Sequence, residues 1–196
     1  MSRVRPNSDA RERVLKTAAD LFYQEGFRAV GIDRIIAEAG VAKMSLYNHF
    51  RSKDDLILAV LEYREALFRT EFSAAIAHYE ATLNDPLRAF FAVLKDRFES
   101  GHFRGCVFMN ASLELADPAH PASVYVQSQK RRFMEFLTEL LVRSLGDKAA
   151  AHAPAIGLLV EGAIVTAVIQ GSSQPADVAL EAALKLVGRR QGRVVR

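Results

Sequence analysis

The chain has 196 residues, half of them hydrophobic and a quarter charged, with a formal net charge of +3. That length buries one substantial core, or one core and a small satellite domain, and the composition is ordinary for a globular protein. The net charge is too small to argue for a nucleic-acid partner by itself, and a single cysteine, Cys106, excludes an intramolecular disulfide and suits a reducing cytoplasm.

The N-terminus lacks the apolar run of a signal peptide. Charge is unevenly distributed. The first sixteen residues carry five basic side chains (Arg3, Arg5, Arg11, Arg13, Lys16) against Asp9 and Glu12, and the last twelve carry five basic and no acidic ones. Basic arms beside a DNA-reading element would add phosphate contacts; a solvated terminus is the simpler reading of the C-terminal run.

No alternation of β-branched residues marks a strand, whereas helical periodicity runs throughout. A first helix is expected after Asp9, with Glu12 completing a capping box; Val14, Ala18, Leu21 and Phe22 form its apolar stripe and Gly26 ends it. Ile32, Ile35, Ile36 and Ala39 share one face of a second helix, and Gly40 supplies the left-handed residue its turn needs. A third covers about Lys43 to Phe50, anchored inward by Leu46 and Phe50. Ser52 caps a long fourth helix with Asp55 at its third position, and Leu56, Val60, Tyr63 and Leu67 continue its stripe.

Asn84-Asp85-Pro86 marks the next boundary, with Asp as cap and Pro at the first helical position. Leu87, Phe90, Phe91, Leu94 and Phe98 define helix five, closed by Gly101. Helix six spans about Cys106 to Ala116. Pro118 and Pro121 break the chain before helix seven, about Ser123 to Leu145. Pro154 opens helix eight, and Gly171 to Pro175 separates it from a last helix ending near Gly188. The expected fold is all-α with about nine helices, three short ones first and six longer ones after. The stretch from Ala149 to Ile169 is apolar enough to suggest a membrane span. It holds His152, Pro154 and Glu161, however, and a charge near mid-bilayer costs roughly 2.5–3.5 kcal/mol, so it reads as a buried helix and no membrane partner is expected.

Residues 26–53, GFRAVGIDRIIAEAGVAKMSLYNHFRSK, carry the most chemical information. Two short helices joined by a glycine turn make a helix-turn-helix, whose second helix enters the DNA major groove. With Ile35, Val41, Leu46 and Phe50 turned inward, Lys43, Met44, Tyr47 and Asn48 face outward, and Ser45 and His49 lie at the edges. Lysine donates to guanine O6 and N7, asparagine pairs with adenine, and methionine meets a thymine methyl. Tyr47 has a hydroxyl for a phosphate, and Lys53 opens the fourth helix, where free backbone N–H groups also favour an anion.

On Gly26-Phe27, Ile35, Ala39-Gly40-Val41, Leu46-Tyr47, His49-Phe50 and Ser52-Lys53-Asp54-Asp55-Leu56, the segment resembles the N-terminal domain of TetR-type (TetR/AcrR) transcriptional regulators. The resemblance covers about a quarter of the chain. It implies a DNA-binding domain at 1–52 and a ligand-binding and dimerisation domain at 53–196. It also implies a homodimeric repressor that binds a palindromic double-stranded DNA operator and is released by a small molecule. Carried over by position, phosphate contacts fall on Tyr47 and Lys53, and base reading on Ala42, Lys43, Met44, Asn48 and His49. Three positions depart from the family pattern. Gly31 stands where Thr or Ser usually caps helix two, leaving only a backbone N–H. Ile36 stands where a small Ala is common. Ala42 and Met44 stand where Ser or Thr and Gly or Pro are frequent.

Helix eight (Ile156, Leu159, Val160, Ala163, Ile164, Ala167, Val168) is apolar around most of its circumference, which requires cover on more than one side. Pairing helices eight and nine with their symmetry mates would supply it. A ligand cavity among helices five to eight would be lined by Phe90, Leu94, Phe98, Met109, Phe133 and Phe136, residues equally suited to a plain core. Asn110 and Glu114 share a face of helix six and could orient a ligand. Gly105-Cys106-Val107-Phe108 resembles a family branch in which some members sense electrophiles or oxidants through a thiol. His102 and Arg104 are near in sequence, although a buried small hydrophobe is the simpler reading of Cys106. Glu114, Asp117 and His120 have a metal-like spacing, but Pro118 and Pro121 break the helix, and helix-end caps explain them better. No nucleophile–base pair and no phosphate-cradling glycine loop is present, so no catalytic residue, metal or cofactor is expected. A purely structural, partner-binding helical protein is the remaining competitor.

Overall fold

The computed structural model describes residues 6–189. The expectations placed on Arg3, Arg5 and the basic residues after Arg189 lie outside that range. Among the described residues there are nine α-helices, one 3-10 turn and no strand: α1 (Pro6–Glu25), α2 (Ile32–Ala39), α3 (Lys43–His49), α4 (Lys53–Leu83), α5 (Pro86–Glu99), α6 (Val107–Leu115), α7 (Pro121–Leu145), the 3-10 turn (Asp147–His152), α8 (Ala153–Gln170) and α9 (Gln174–Leu186). The all-α expectation holds.

The chain packs as two compact units, Met1–Phe68 with Cys106–Gln129, and Arg69–Gly105 with Lys130–Arg196. In the first, α1, α2 and α3 pack on one another. Their core joins Val14, Ala18 and Phe22 to Ile35, Leu46, Phe50, Leu56 and Val60, and it also takes in Phe108 and Ala111 of α6 and Ala122 and Val126 of α7. In the second, α8 packs on α9 and α5 packs on both. The functional boundary expected between residues 52 and 53 falls inside the first packing unit.

Most boundaries follow from local chemistry. The Ser52 hydroxyl accepts from the Asp55 N–H at 3.0 Å, so it caps α4 as its sequence suggests. Asp85 caps α5, its Oδ1 accepting from the N–H groups of Leu87 (3.0 Å) and Arg88 (3.2 Å). Its Oδ2 takes Arg189 at 2.7 Å, so this buried carboxylate also ties the end of the second unit to the start of α5. Asp85→Ala is expected to cost about 0.5–2 kcal/mol. The measurement is a lower denaturant midpoint with an unchanged slope; an unchanged midpoint would contradict the capping role.

Three boundaries differ from the sequence reading. Helix α1 begins at Pro6, not after Asp9, and runs for 20 residues, so it is not short. Proline suits a helix's first turn, which leaves Asp9 and Glu12 inside the helix. There they make i,i+4 pairs with Arg13 (3.6 Å) and Lys16 (2.7 Å) instead of a capping box. Pro121 opens α7 instead of breaking the chain ahead of it. Just before it, His120 Nδ1 accepts from the Ala122 N–H at 3.1 Å and so caps that end. The 3-10 turn 147–152, unforeseen, starts from Gly146 at φ +84° and leads straight into α8.

By length and composition 147–170 could cross a membrane, and about a third of that stretch is buried in the protomer. Its buried stripe is Ile156, Gly157, Val160, Ala163 and Ala167. At Gly157 the Met134 thioether packs close to the backbone, 2.8 Å from where a Cβ would sit, so a larger residue there would make Met134 move. The opposite face is exposed and apolar: Leu158 (76 % exposed), Val165, Val168 and Ile169 (78 %), with Val178 and Leu186 on α9. An open groove of about 500 Å³ between the two helices is lined by Ala155, Leu158, Leu159, Ala182, Lys185 and Leu186.

Candidate nucleic-acid interface

The interface is built from α2, α3 and the first turn of α4. Helix α2 starts at Gly31, whose extended backbone caps it with no side-chain hydrogen bond. It stops at Gly40, which sits in the left-handed region at φ +61°, while the Val41 N–H returns to the Ile36 carbonyl at 3.3 Å. That turn throws α3 across α2. Ile35, Ala39, Leu46 and Phe50 are buried by it, and Ile36 and Val41 pack part-buried against the same core.

Which side chains face outward is then fixed by a helix of seven residues. Ala42, Lys43, Met44, Tyr47 and Asn48 are exposed, Met44 to 70 %. Ser45 is half-buried at the edge, as the sequence places it. His49 is also half-buried, and its Nε2 is buried with no hydrogen-bond partner among the described residues. Its ring lies edge-on to Phe50 at 6.4 Å. His49 thus lies at the edge of the exposed face, beside Ser45, as the sequence places it. The Arg11 guanidinium sits 5.4 Å from the Phe50 ring centre, which brings a basic side chain of α1 to the end of α3.

Two further features were not legible from the motif. The Lys43 ammonium is held by Asp33 of α2 at 3.1 Å, and that hydrogen bond and charge raise its pKa above the usual lysine range. Lys53 is partly buried, with Nζ 5.9 Å from the Phe22 ring centre and donating to the Arg28 carbonyl at 3.4 Å. Burial pushes its pKa down, while Asp54 and Glu114 pull the other way.

Arg28 lies in the loop ahead of α2, and α6 holds that loop. The Glu114 carboxylate accepts from the Arg28 N–H at 3.0 Å, and Arg28 Nη2 donates to the Leu115 carbonyl at 3.2 Å. Gly26, at φ +100°, lies so close that a Cβ would come within 2.9 Å of Glu114 Oε2. Glu114 thus anchors the loop ahead of α2. Asp117 accepts from the Ala119 N–H at 2.9 Å, and His120 Nε2 lies 3.3 Å from Asp54. All three members of the metal-like spacing hold their own backbone or a neighbour. Among the described residues no three His, Cys, Asp or Glu side chains gather as for a metal.

The expected ligand-lining residues divide between the units. Phe90, Leu94, Phe98, Phe133 and Phe136 belong to the second, and Cys106, Met109 and Asn110 to the first. Phe90 is the hub of an aromatic cluster, with ring centres 5.4 Å from Phe72, 5.3 Å from Phe91, 6.4 Å from Phe133 and 6.5 Å from Phe136. Phe72, Phe90 and Phe91 are buried and Phe133 and Phe136 half-buried, and Phe72 joins the cluster unforeseen. Cys106 is half-buried at the start of α6, packed against the first unit's core.

Residues 14–60 match the family model described as bacterial regulatory proteins, tetR family. Among solved structures, the chain is 34 % identical to SCO4454, a TetR-family transcriptional regulator from Streptomyces coelicolor, at a TM-score of 0.80, covering 92 % of this chain and 95 % of that one. Among curated proteins, it is 27 % identical over 134 residues to the HTH-type transcriptional repressor NemR of Escherichia coli (strain K12), covering 68 % of this chain and 67 % of that protein. It is also 27 % identical over 176 residues to the transcriptional regulator AcuR of Cereibacter sphaeroides, covering 85 % and 80 %.

Proposed function

The chain belongs to the TetR family of transcriptional regulators, and we propose that it acts as a homodimeric repressor that binds a palindromic operator and lets go when a small molecule binds. The observation that carries the reading is the exposed face of α3. Four side chains suited to bases or phosphates stand outward on a helix whose other face is anchored in the core by Leu46. A helix held that way is a rigid probe for the major groove.

Within this reading, Lys43, Met44 and Asn48 meet base edges, with Ala42, Ser45 and His49 beside them. Tyr47, Lys53 and the Gly31 backbone meet phosphates. The exposed apolar faces of α8 and α9 support dimerisation there, because two copies would remove Leu158, Val165 and Ile169 from water. A dimer places two probes on one duplex, which is why the operator is proposed to be palindromic. Repression is proposed by likeness to NemR, and the cytoplasm as the place where DNA is met. The inducer's site is proposed for the 53–196 region: Phe90, Leu94, Phe98, Phe133 and Phe136 are the candidates in the second unit, and Cys106, Met109 and Asn110 those in the first.

Titration of duplex binding over a salt series tests the reading. Lys53→Ala is expected to weaken binding to every sequence and to reduce the salt slope by about one. Tyr47→Phe should weaken all sequences by a similar factor without altering the slope. Asn48→Ala should change which sequence is preferred, at about 1–3 kcal/mol of discrimination. Three variants that bind like the wild type would rule out α3 as the reading element.

A further inference from the structure

The ion pair between Asp33 and Lys43 lies on the surface proposed to read the operator, and any role it has in recognition rests on that proposal. Asp33 is in the first turn of α2 and Lys43 is the first residue of α3, so the pair bridges the two helices of the motif. Both side chains are open to solvent, Asp33 to 85 %. An acidic group in that place is unfavourable for phosphate binding, since it repels the backbone of any duplex that approaches. It also pins a side chain that would otherwise roam. A free lysine is a flexible point charge that finds a phosphate as readily as a base. A lysine paired at 3.1 Å with a carboxylate is biased toward one direction and presents a smaller net field.

The pair presents a donor next to an acceptor. In the major groove a G·C pair presents guanine O6, an acceptor, next to the cytosine N4 amino group, a donor. Those two atoms are hydrogen-bonded to each other, so they lie about 2.9–3.0 Å apart. Lys43 Nζ and Asp33 Oδ1 are 3.1 Å apart. The protein pair and the base pair therefore match in polarity and spacing.

We propose that Asp33 and Lys43 read one base pair of each half-site as a unit, Lys43 donating to a keto oxygen and Asp33 accepting from the amino group paired with it. The best partner is G·C with guanine on the Lys43 side, because guanine N7 offers the ammonium a second acceptor. T·A has the same keto–amino order, but its methyl group takes the place of N7, so it ranks second. C·G and A·T set amino against ammonium and keto against carboxylate, and both are rejected. Asp33 is thus a specificity residue that the helix-turn-helix motif does not mark, and its charge lowers affinity for non-operator DNA.

The experiment starts from the duplex that the full-length protein selects out of a random pool. Each base pair opposite the N-terminal end of α3 is inverted in turn, and binding is followed by fluorescence anisotropy. For the wild type, one position per half-site should show a loss of about 5- to 150-fold on inversion, the equivalent of 1–3 kcal/mol. Exchanging guanine for inosine there removes the 2-amino group but leaves the major-groove O6 and N7 in place, so the orientation preference should persist. Asp33→Ala should reduce the inversion penalty several-fold. It should also raise affinity for an unrelated duplex, with a salt slope steeper by about one. Asp33→Leu, which keeps the side chain's approximate size but has neither charge nor acceptor, should do the same and guards against a folding defect in the alanine variant. An inversion penalty that survives both substitutions overturns the inference while leaving operator binding intact. So does a selected site with no orientation-sensitive position. A pool that yields no enriched palindrome removes operator binding itself, and the paired readout with it.

Discussion

Leu46→Ala is expected to destabilise the first packing unit by about 2–5 kcal/mol, the cost of deleting a fully buried leucine from a close-packed site. Leu46 is completely buried and is the one buried residue within α3. A helix of seven residues has no stability of its own in water, so its direction depends on that anchor and on Phe50 just past its end. The variant should therefore lose duplex binding by more than its loss of folded population accounts for. Denaturant unfolding and anisotropy on the same sample measure both. Full binding at a wild-type denaturation midpoint would mean that α3 is held by something other than the core described here.

The second large effect is on assembly. Leu158→Glu should convert the protein to a monomer and lower apparent operator affinity by up to about 10²–10⁴-fold, the gain that linking two binding modules provides. Leu158 is 76 % exposed in the protomer, so glutamate there costs the protomer's own fold little. In a dimer joined through α8 and α9 the same carboxylate would be taken out of water without a partner. Sedimentation gives the mass and anisotropy the affinity. A dimer that persists with unchanged affinity would place the interface elsewhere.

How much of the fold and the interface is legible in the sequence depends on how local the cause is. The turn at Gly40, the cap at Ser52 and the cap at Asp85 each arise from residues within five positions of one another, and each appears in the structure where the sequence puts it. The start of α1 differs because Asp9 and Glu12 have the spacing of a capping box but find i,i+4 partners in Arg13 and Lys16 instead. Pro121 differs because proline both ends and begins helices, and the imidazole cap that settles the matter involves His120.

Long-range features leave no local trace. Glu114 and Arg28 are 86 residues apart, yet their hydrogen bond fixes the loop that leads into α2. The four core residues that α6 and α7 contribute to the unit containing α3 read simply as an apolar stripe on their own helices. Asp33 looks like a first-turn charge on α2 until the turn brings it to Lys43. The aromatic residues of α5 and α7 cannot be sorted into core or cavity wall by spacing, because phenylalanine at helical spacing serves both. Around Phe90 the rings form one cluster, in which Phe72 and Phe91 are buried and Phe133 and Phe136 half-buried.

The central claim is that the exposed face of α3 reads a specific duplex. Enrichment from a pool of random duplexes by the full-length wild-type protein, with the Asn48→Ala variant run alongside, tests it most directly. The expected result is a palindrome whose half-sites lie about 10 base pairs apart, or a multiple of that, centre to centre, and an altered base preference for the variant at one position in each half. A wild-type pool without an enriched palindrome, or two proteins returning the same site, would contradict it.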